Sequence, residues 1–349
     1  TGGAAITGGT TTLTQASFDA YGRAFFNVTN ATAATSTISV VGAGSTAIAA
    51  LSATTAVKYV AATTAVAATY TTTTANTVFT TPLIDFGGLT PSLIINWGDG
   101  TANSPLITAS NSINRIHTYV SPGTYTITIS GFMPGFAVNN NSAIRTLITE
   151  IVQWGIVGLR SVNFYGCSNL TAIPSSASLS AVGGYTGLDE VVSFSNFMNG
   201  TRITSIPSDI FDYSPNATTF SSTFASIPTI TSIPTGLFDN VPLVTSFASC
   251  FFACAGLTSV PSTIFDLNIN VTSFSGTFRN CRALTNVLQF TFNTAVTTFS
   301  QVYNMSSTSN ALVGTAPTLW LRTPTPAGTD AFRNCTGLTN FASIPPTFT

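Results

Sequence analysis

A five-residue run returns at a step of 27 residues in the C-terminal half of the chain. Ile203-Thr204-Ser205-Ile206-Pro207 becomes Ile230-Thr231-Ser232-Ile233-Pro234 and then Leu257-Thr258-Ser259-Val260-Pro261. A second landmark keeps the same step: Ile210-Phe211-Asp212, Leu237-Phe238-Asp239, Ile264-Phe265-Asp266, then Thr291-Phe292-Asn293. A third is the aromatic pair Phe220/Phe224, Phe247/Phe251 and Phe274/Phe278. A unit this short cannot bury its own apolar face, so its copies must stack on one another as a solenoid.

Phe247, Phe251, Cys254 and Leu257 share one face of a helical turn, and Phe274, Phe278, Cys281 and Leu284 repeat that spacing. Phe332, Cys335 and Leu338 recover it two steps later, past a degenerate unit in which Phe299 and Tyr303 keep the aromatic pair. Gly256 and Gly337 precede the leucines, where a helical turn ends and positive φ is cheap. The β-branched run after each leucine reads as a short strand closed by proline. Each unit is thus expected to be strand, loop, second extended piece and helical turn. Seven units from about Asn141 onward give a stack of roughly 35 Å at ~4.8 Å per rung.

These motifs resemble the BspA-type leucine-rich repeats of microbial surface proteins. The resemblance implies a right-handed solenoid with one parallel sheet along its length, used mostly in adhesion and display. Upstream, Trp97-Gly98-Asp99-Gly100-Thr101 follows an apolar strand, and His117-Thr118-Tyr119 and Gly123-Thr124-Tyr125-Thr126-Ile127 come after it. Those three motifs, in that order over about Thr81–Ala137, resemble a PKD domain, which implies an immunoglobulin-like β-sandwich acting as spacer or contact module. Its marker residues are Trp97, Asp99, Gly100, His117, Tyr119 and Tyr125. The span is short for that family, so an edge strand is either lacking or supplied by the preceding residues.

Residues 1–80 are dominated by Thr, Ala, Gly and Ser, with only Asp19, Arg23 and Lys58 charged. Alternation at Thr37-Ile38-Ser39-Val40-Val41 and Val57-Lys58-Tyr59-Val60 argues for β-structure. Small uncharged surfaces desolvate cheaply, so this region reads as an arm that anchors the chain to copies of itself or to a particle or surface protein. The alternative is a small β-domain with a threonine-covered face. The expected fold is therefore mainly β: a β-rich region over 1–80, a PKD-like sandwich over 81–137 and a leucine-rich-repeat solenoid over 138–349.

Charged residues make up 6% of the chain and the formal net charge is −1. That leaves no basic footprint for nucleic acid, and no run of about 20 apolar residues offers a transmembrane helix. The sequence starts at Thr1 without methionine, consistent with a removed leader or an omitted start. His117, the lone histidine, has no Ser, Cys or carboxylate partner at a recognisable motif spacing, so no catalytic residue and no cofactor are expected. Asp99 beside two glycines, and a ladder of Asp212, Asp239 and Asp266, are candidate cation ligands. Their simpler reading is loop capping, with Asn293 ending the ladder. Cys167, Cys254, Cys281 and Cys335 share one repeat position and read as buried free thiols, with Cys250 additional and no CxxC pair for zinc.

Function is then expected in display: a non-enzymatic structural or adhesive component of a virion, microbial surface layer or filament, at an extracellular surface. Its solenoid would face outward toward glycans or a host surface. The alternative is a monomeric carbohydrate- or protein-binding adhesin on a microbial cell.

Overall fold

The computed structural model describes residues 3–7, 37–41, 66–72, 75–138, 142–155, 157–175 and 187–349. These residues are mainly non-helical and lean toward β-structure. The chain divides into two compact units, Thr1–Thr63 and Thr64–Thr349. In the first, β1 (Gly3–Thr7) pairs antiparallel with β2 (Thr37–Val41). The expected strand at Val57–Val60 and the charged Asp19, Arg23 and Lys58 lie outside the described residues.

In the second unit, β3 (Val66–Thr72), β5 (Ser92–Asn96), β7 (Gly123–Phe132) and β9 (Ile148–Gln153) form one sheet in the order β5-β7-β3-β9. A separate pair joins β4 (Thr77–Thr80) to β6 (Ile116–Tyr119). Period-2 alternation decides which side is buried: Leu93 and Ile95 on β5 and Ile127 and Ile129 on β7 are inside. Gly131 must be glycine, because it has φ +111° and a Cβ there would lie 2.4 Å from the Ser92 carbonyl oxygen.

The expected boundaries at 80 and 137 do not coincide with these divisions. β3 and β4, assigned from sequence to the anchoring arm, pair with β7, β9 and β6. β9, assigned to the repeats, hydrogen-bonds to β3. Threonine-rich composition hid β3, and it supplies the central strand that the motif-bearing segment lacked.

Beyond β8 (Gly135–Ala137), which pairs in parallel with β10 (Ser161–Asn163), the repeats contain no α-helix and no further named strand among the described residues. Instead, single parallel bridges link Ser161, Ser193, Thr219, Ser246, Ser273, Thr298 and Ala327 in succession. A second column of parallel bridges includes Ser232 with Ser259 and Gly314 with Leu338.

Among the described residues the expected helical turns give way to isolated i→i−3 turns, such as Cys250 to Phe247 and Cys254 to Phe251, for a definable reason. The N–H groups of Phe220, Ser222, Phe224 and Ser226 donate to the carbonyls of Ser246, Ala248, Cys250 and Phe252 in the next unit. Every second amide is spent between units, so an i→i−4 ladder cannot form. Left-handed residues make this alternation possible: Ser222 and Ser226, Ser249 and Ala253, and Asp330 and Asn334 all have φ between +55° and +62°. Gly256 and Gly337 are not at positive φ. They are glycine because the backbone of the preceding unit lies against them: a Cβ would sit 2.3 Å from the Pro228 oxygen and 2.5 Å from that of Leu312.

Candidate functional site

Two side-chain arrays stand out: a polar–aromatic cluster after β5, and the columns inside the repeats.

In the first, β5 runs into a turn that Gly98 and Gly100 allow, at φ +77° and +82°. Gly98 also admits the Thr126 carbonyl, which would lie 2.3 Å from a Cβ. Asp99 Oδ1 accepts from the Thr101 amide at 3.1 Å and from Thr101 Oγ1 at 2.6 Å. Asp99 Oδ2 lies 2.7 Å from His117 Nε2 on β6. The imidazole stacks on Trp97, with centroids 4.7 Å apart and planes 11° from parallel. Tyr119 donates its hydroxyl to the Trp97 carbonyl at 2.8 Å and stacks on Tyr125 at 4.2 Å. Tyr125 in turn donates to the Ser121 carbonyl at 2.9 Å.

Burial alone would raise the Asp99 carboxyl. The hydrogen bonds from Thr101 and His117, with the His117 charge, outweigh it and hold Asp99 below the ordinary carboxylate range. Burial, reinforced by the Asp99 charge, pushes the Tyr119 phenol well above its ordinary value. The arrangement is a carboxylate–imidazole pair whose two neighbouring hydroxyls are already engaged, Thr101 with Asp99 itself and Tyr119 with the Trp97 carbonyl. It ties β5, the turn and β6 together. As the sequence reading allowed, Asp99 bonds its own turn.

Inside the repeats, Phe220, Phe247, Phe274 and Phe299 stack at 5.6–5.8 Å. Phe224, Phe251, Phe278, Tyr303 and Phe332 form a second column at 5.4–5.9 Å. Phe211, Phe238 and Phe265 make a third at 5.8 Å. Leu257, Leu284 and Leu338 are buried beside them.

All five cysteines are buried and free. The thiols of Cys254, Cys281 and Cys335 each donate at 3.0 Å to the carbonyl of an aromatic residue one unit back: Phe224, Phe251 and Tyr303. Burial raises the thiols of Cys167, Cys254 and Cys335 to about 12, and those of Cys250 and Cys281 well above the ordinary value. Cys250 takes the place held by Thr223 and Thr277, whose hydroxyls donate to the Phe194 and Phe247 carbonyls.

The aspartate ladder needs a correction. Asp212 accepts from Asn240 of the next unit at 3.1 Å rather than capping its own loop. Asn293 does not continue the ladder. The unit carrying it is two residues short, so Phe290 fills the ring position, packing 4.8 Å from Phe274 and 5.0 Å from Phe299. Phe292, which the 27-residue step aligns with Phe265, is 56% exposed. Thr291 therefore holds the aspartate position. Among the described residues, no three of His, Cys, Asp and Glu are grouped so as to hold a metal.

The shift in register exposes residues the sequence reading missed. Asn268 Nδ2 donates to the Phe238 and Val241 carbonyls, and Asn293 Nδ2 to those of Phe265 and Asn268. Arg322 reaches the Phe290 and Asn293 carbonyls at 2.5 and 2.8 Å. These three side chains staple successive units along one edge. The signal available was a pair of asparagines 25 residues apart in an apolar register, masked by the 27-residue frame.

No protein family and no curated protein matches this chain in sequence, so the two likenesses rest on their motifs alone. No helix among the described residues is long and apolar enough to cross a membrane.

Proposed function

We propose that the chain is a non-enzymatic display protein. Its repeats form a leucine-rich-repeat-like solenoid, residues 64–153 form a PKD-like sandwich at its base, and the N-terminal region anchors it to an extracellular assembly such as a virion or microbial surface. The observation that carries this reading is the use of side chains in the repeats. The rings, thiols, amides and threonine hydroxyls are spent on joining one unit to the next. Thr245, Thr258, Thr272 and Thr285 each donate to a carbonyl one unit back. What such a stack leaves outward is a long, regular, nearly uncharged surface, which suits adhesion or packing better than chemistry. The Asp99–His117 pair fits a structural role because both neighbouring hydroxyls are engaged.

The test is electron microscopy of the native source with a label fused after Thr349. The reading expects labels standing off the surface of a regular particle, layer or filament. Labels scattered through a soluble fraction, with the chain monomeric, would support the adhesin or another role instead.

A further inference from the structure

Phe220, Ser222, Phe224 and Ser226 donate four alternate amides to the following unit, and the next three units repeat the pattern. Phe299, Gln301, Tyr303 and Met305, for example, reach the carbonyls of Ala327, Thr329, Ala331 and Arg333. Gly328, Asp330, Phe332 and Asn334 hold the same positions in the unit after that, and there the pattern breaks. Among the described residues the amides of Gly328, Asp330 and Asn334 have no backbone partner. The Phe332 amide does have one, at 2.7 Å, but it is the carbonyl of Phe348, in the short turn Pro346–Phe348.

A ring column breaks at the same unit. Phe299 donates its amide to Ala327, immediately before Gly328, just as Phe274 donates to Thr298, immediately before Phe299. Gly328 therefore stands where Phe220, Phe247, Phe274 and Phe299 place their rings. Its φ is not positive, so the backbone does not call for glycine. The neighbour does: a Cβ on Gly328 would overlap Cε1, Cδ1 and Cζ of Phe348. That ring is 4% exposed and meets Trp320 edge-on at 6.0 Å.

We propose that the turn Pro346–Phe348 is a strap that stands in for a further unit and closes the series. One residue supplies both things a following unit would bring, a carbonyl for the Phe332 amide and a ring for the empty column position. Without it the Phe332 amide would lose its acceptor and a ring-sized hollow would open beside Gly328, both costly. The strap holds by one backbone hydrogen bond and one buried ring, where each inner junction has four such bonds, so this junction opens first. Units in such a series touch only their neighbours, which keeps the opening local. The proposal does not depend on the display reading.

Amide-resolved hydrogen exchange on the full chain tests the strap. Phe348→Ala removes the ring and keeps the carbonyl. It should speed exchange at the Phe332 amide about a hundredfold, the worth of a buried phenylalanine. The amides of Phe251 and Phe278 should keep their wild-type rates, and Phe348→Leu should give an intermediate rate at Phe332. Gly328→Phe should lower the melting temperature of the wild type, where Phe348 fills the space. It should raise that of Phe348→Ala, where it restores the column ring. A wild-type exchange rate at Phe332 in Phe348→Ala overturns the proposal. So does a Gly328→Phe change that is as harmful without the Phe348 ring as with it. Protection lost equally at Phe251, Phe278 and Phe332 also overturns it, because the turn would then belong to the core at large and not to one junction.

Discussion

Phe290 and Phe292 offer a sharp contrast, because sequence periodicity and three-dimensional register disagree about which ring is inside. Phe290 is 4% exposed and sits between Phe274 and Phe299, with Tyr303 at 6.5 Å. Replacing a buried phenylalanine by alanine removes its transfer energy and leaves a cavity, together about 3–5 kcal/mol. Stacking partners on both sides keep the site from collapsing, so the upper part of that range applies. Alanine inherits the same left-handed backbone, φ +53° in the native chain, so the loss reports the ring. Phe292→Ala removes a half-exposed ring and should stay within about 0.5 kcal/mol. Both are read by urea unfolding followed by circular dichroism, at protein concentrations low enough that association contributes nothing. Equal losses, or a larger loss at Phe292, would refute the two-residue register shift and with it the alignment of Asn268 with Asn293.

Three further outcomes follow from particular sites. Ala253→Gly relieves a left-handed alanine and should raise the melting temperature by an amount equivalent to about 1 kcal/mol, whereas Gly256→Ala should lower it sharply; a reversed order in calorimetry would contradict the inter-unit hydrogen bonding. The Asp99 carboxyl is depressed in the folded state, so its contribution is present above the ordinary carboxylate range and is lost as pH falls through the lowered value. The acid limb of stability against pH should therefore flatten in Asp99→Asn, and an unchanged limb counts against the pair. The five buried thiols should resist a thiol reagent in the folded chain and react together once it is unfolded; fast labelling of Cys254 or Cys281 in native protein would contradict the column.

The periodic residues were readable because stacking demands like against like: Phe, Cys and Leu recur wherever a unit must cover the one before it. Secondary structure within a unit was not readable. The spacing of Phe247, Phe251 and Cys254 fits a helical face, yet the alternate amides bond to the next unit, a preference that only stacking reveals. Gly256 was legible as a required glycine, for a different reason from the one its position suggested. The register at Phe290 was lost because one short unit breaks a strict frame. β3 escaped notice because Ala and Thr carry little hydrophobic contrast, and its place in the sheet is set by pairing with β7 and β9. Trp97, Asp99, His117 and Tyr119 were legible as motif residues, but the Asp99–His117 contact was not, since the two lie 18 residues apart and no recognisable spacing joins them.

The anchoring role of the N-terminal region is tested most directly by cutting the chain between its two compact units. Removing residues 1–63, rather than 1–80, leaves β3 in its sheet and should give a chain that unfolds cooperatively at a temperature close to that of the full-length protein. Expressed in the native source in place of the full chain, it should be recovered folded but detached from the assembly. A truncated chain that still co-purifies with the assembly at full occupancy would contradict the assignment and move the anchoring contact into residues 64–349.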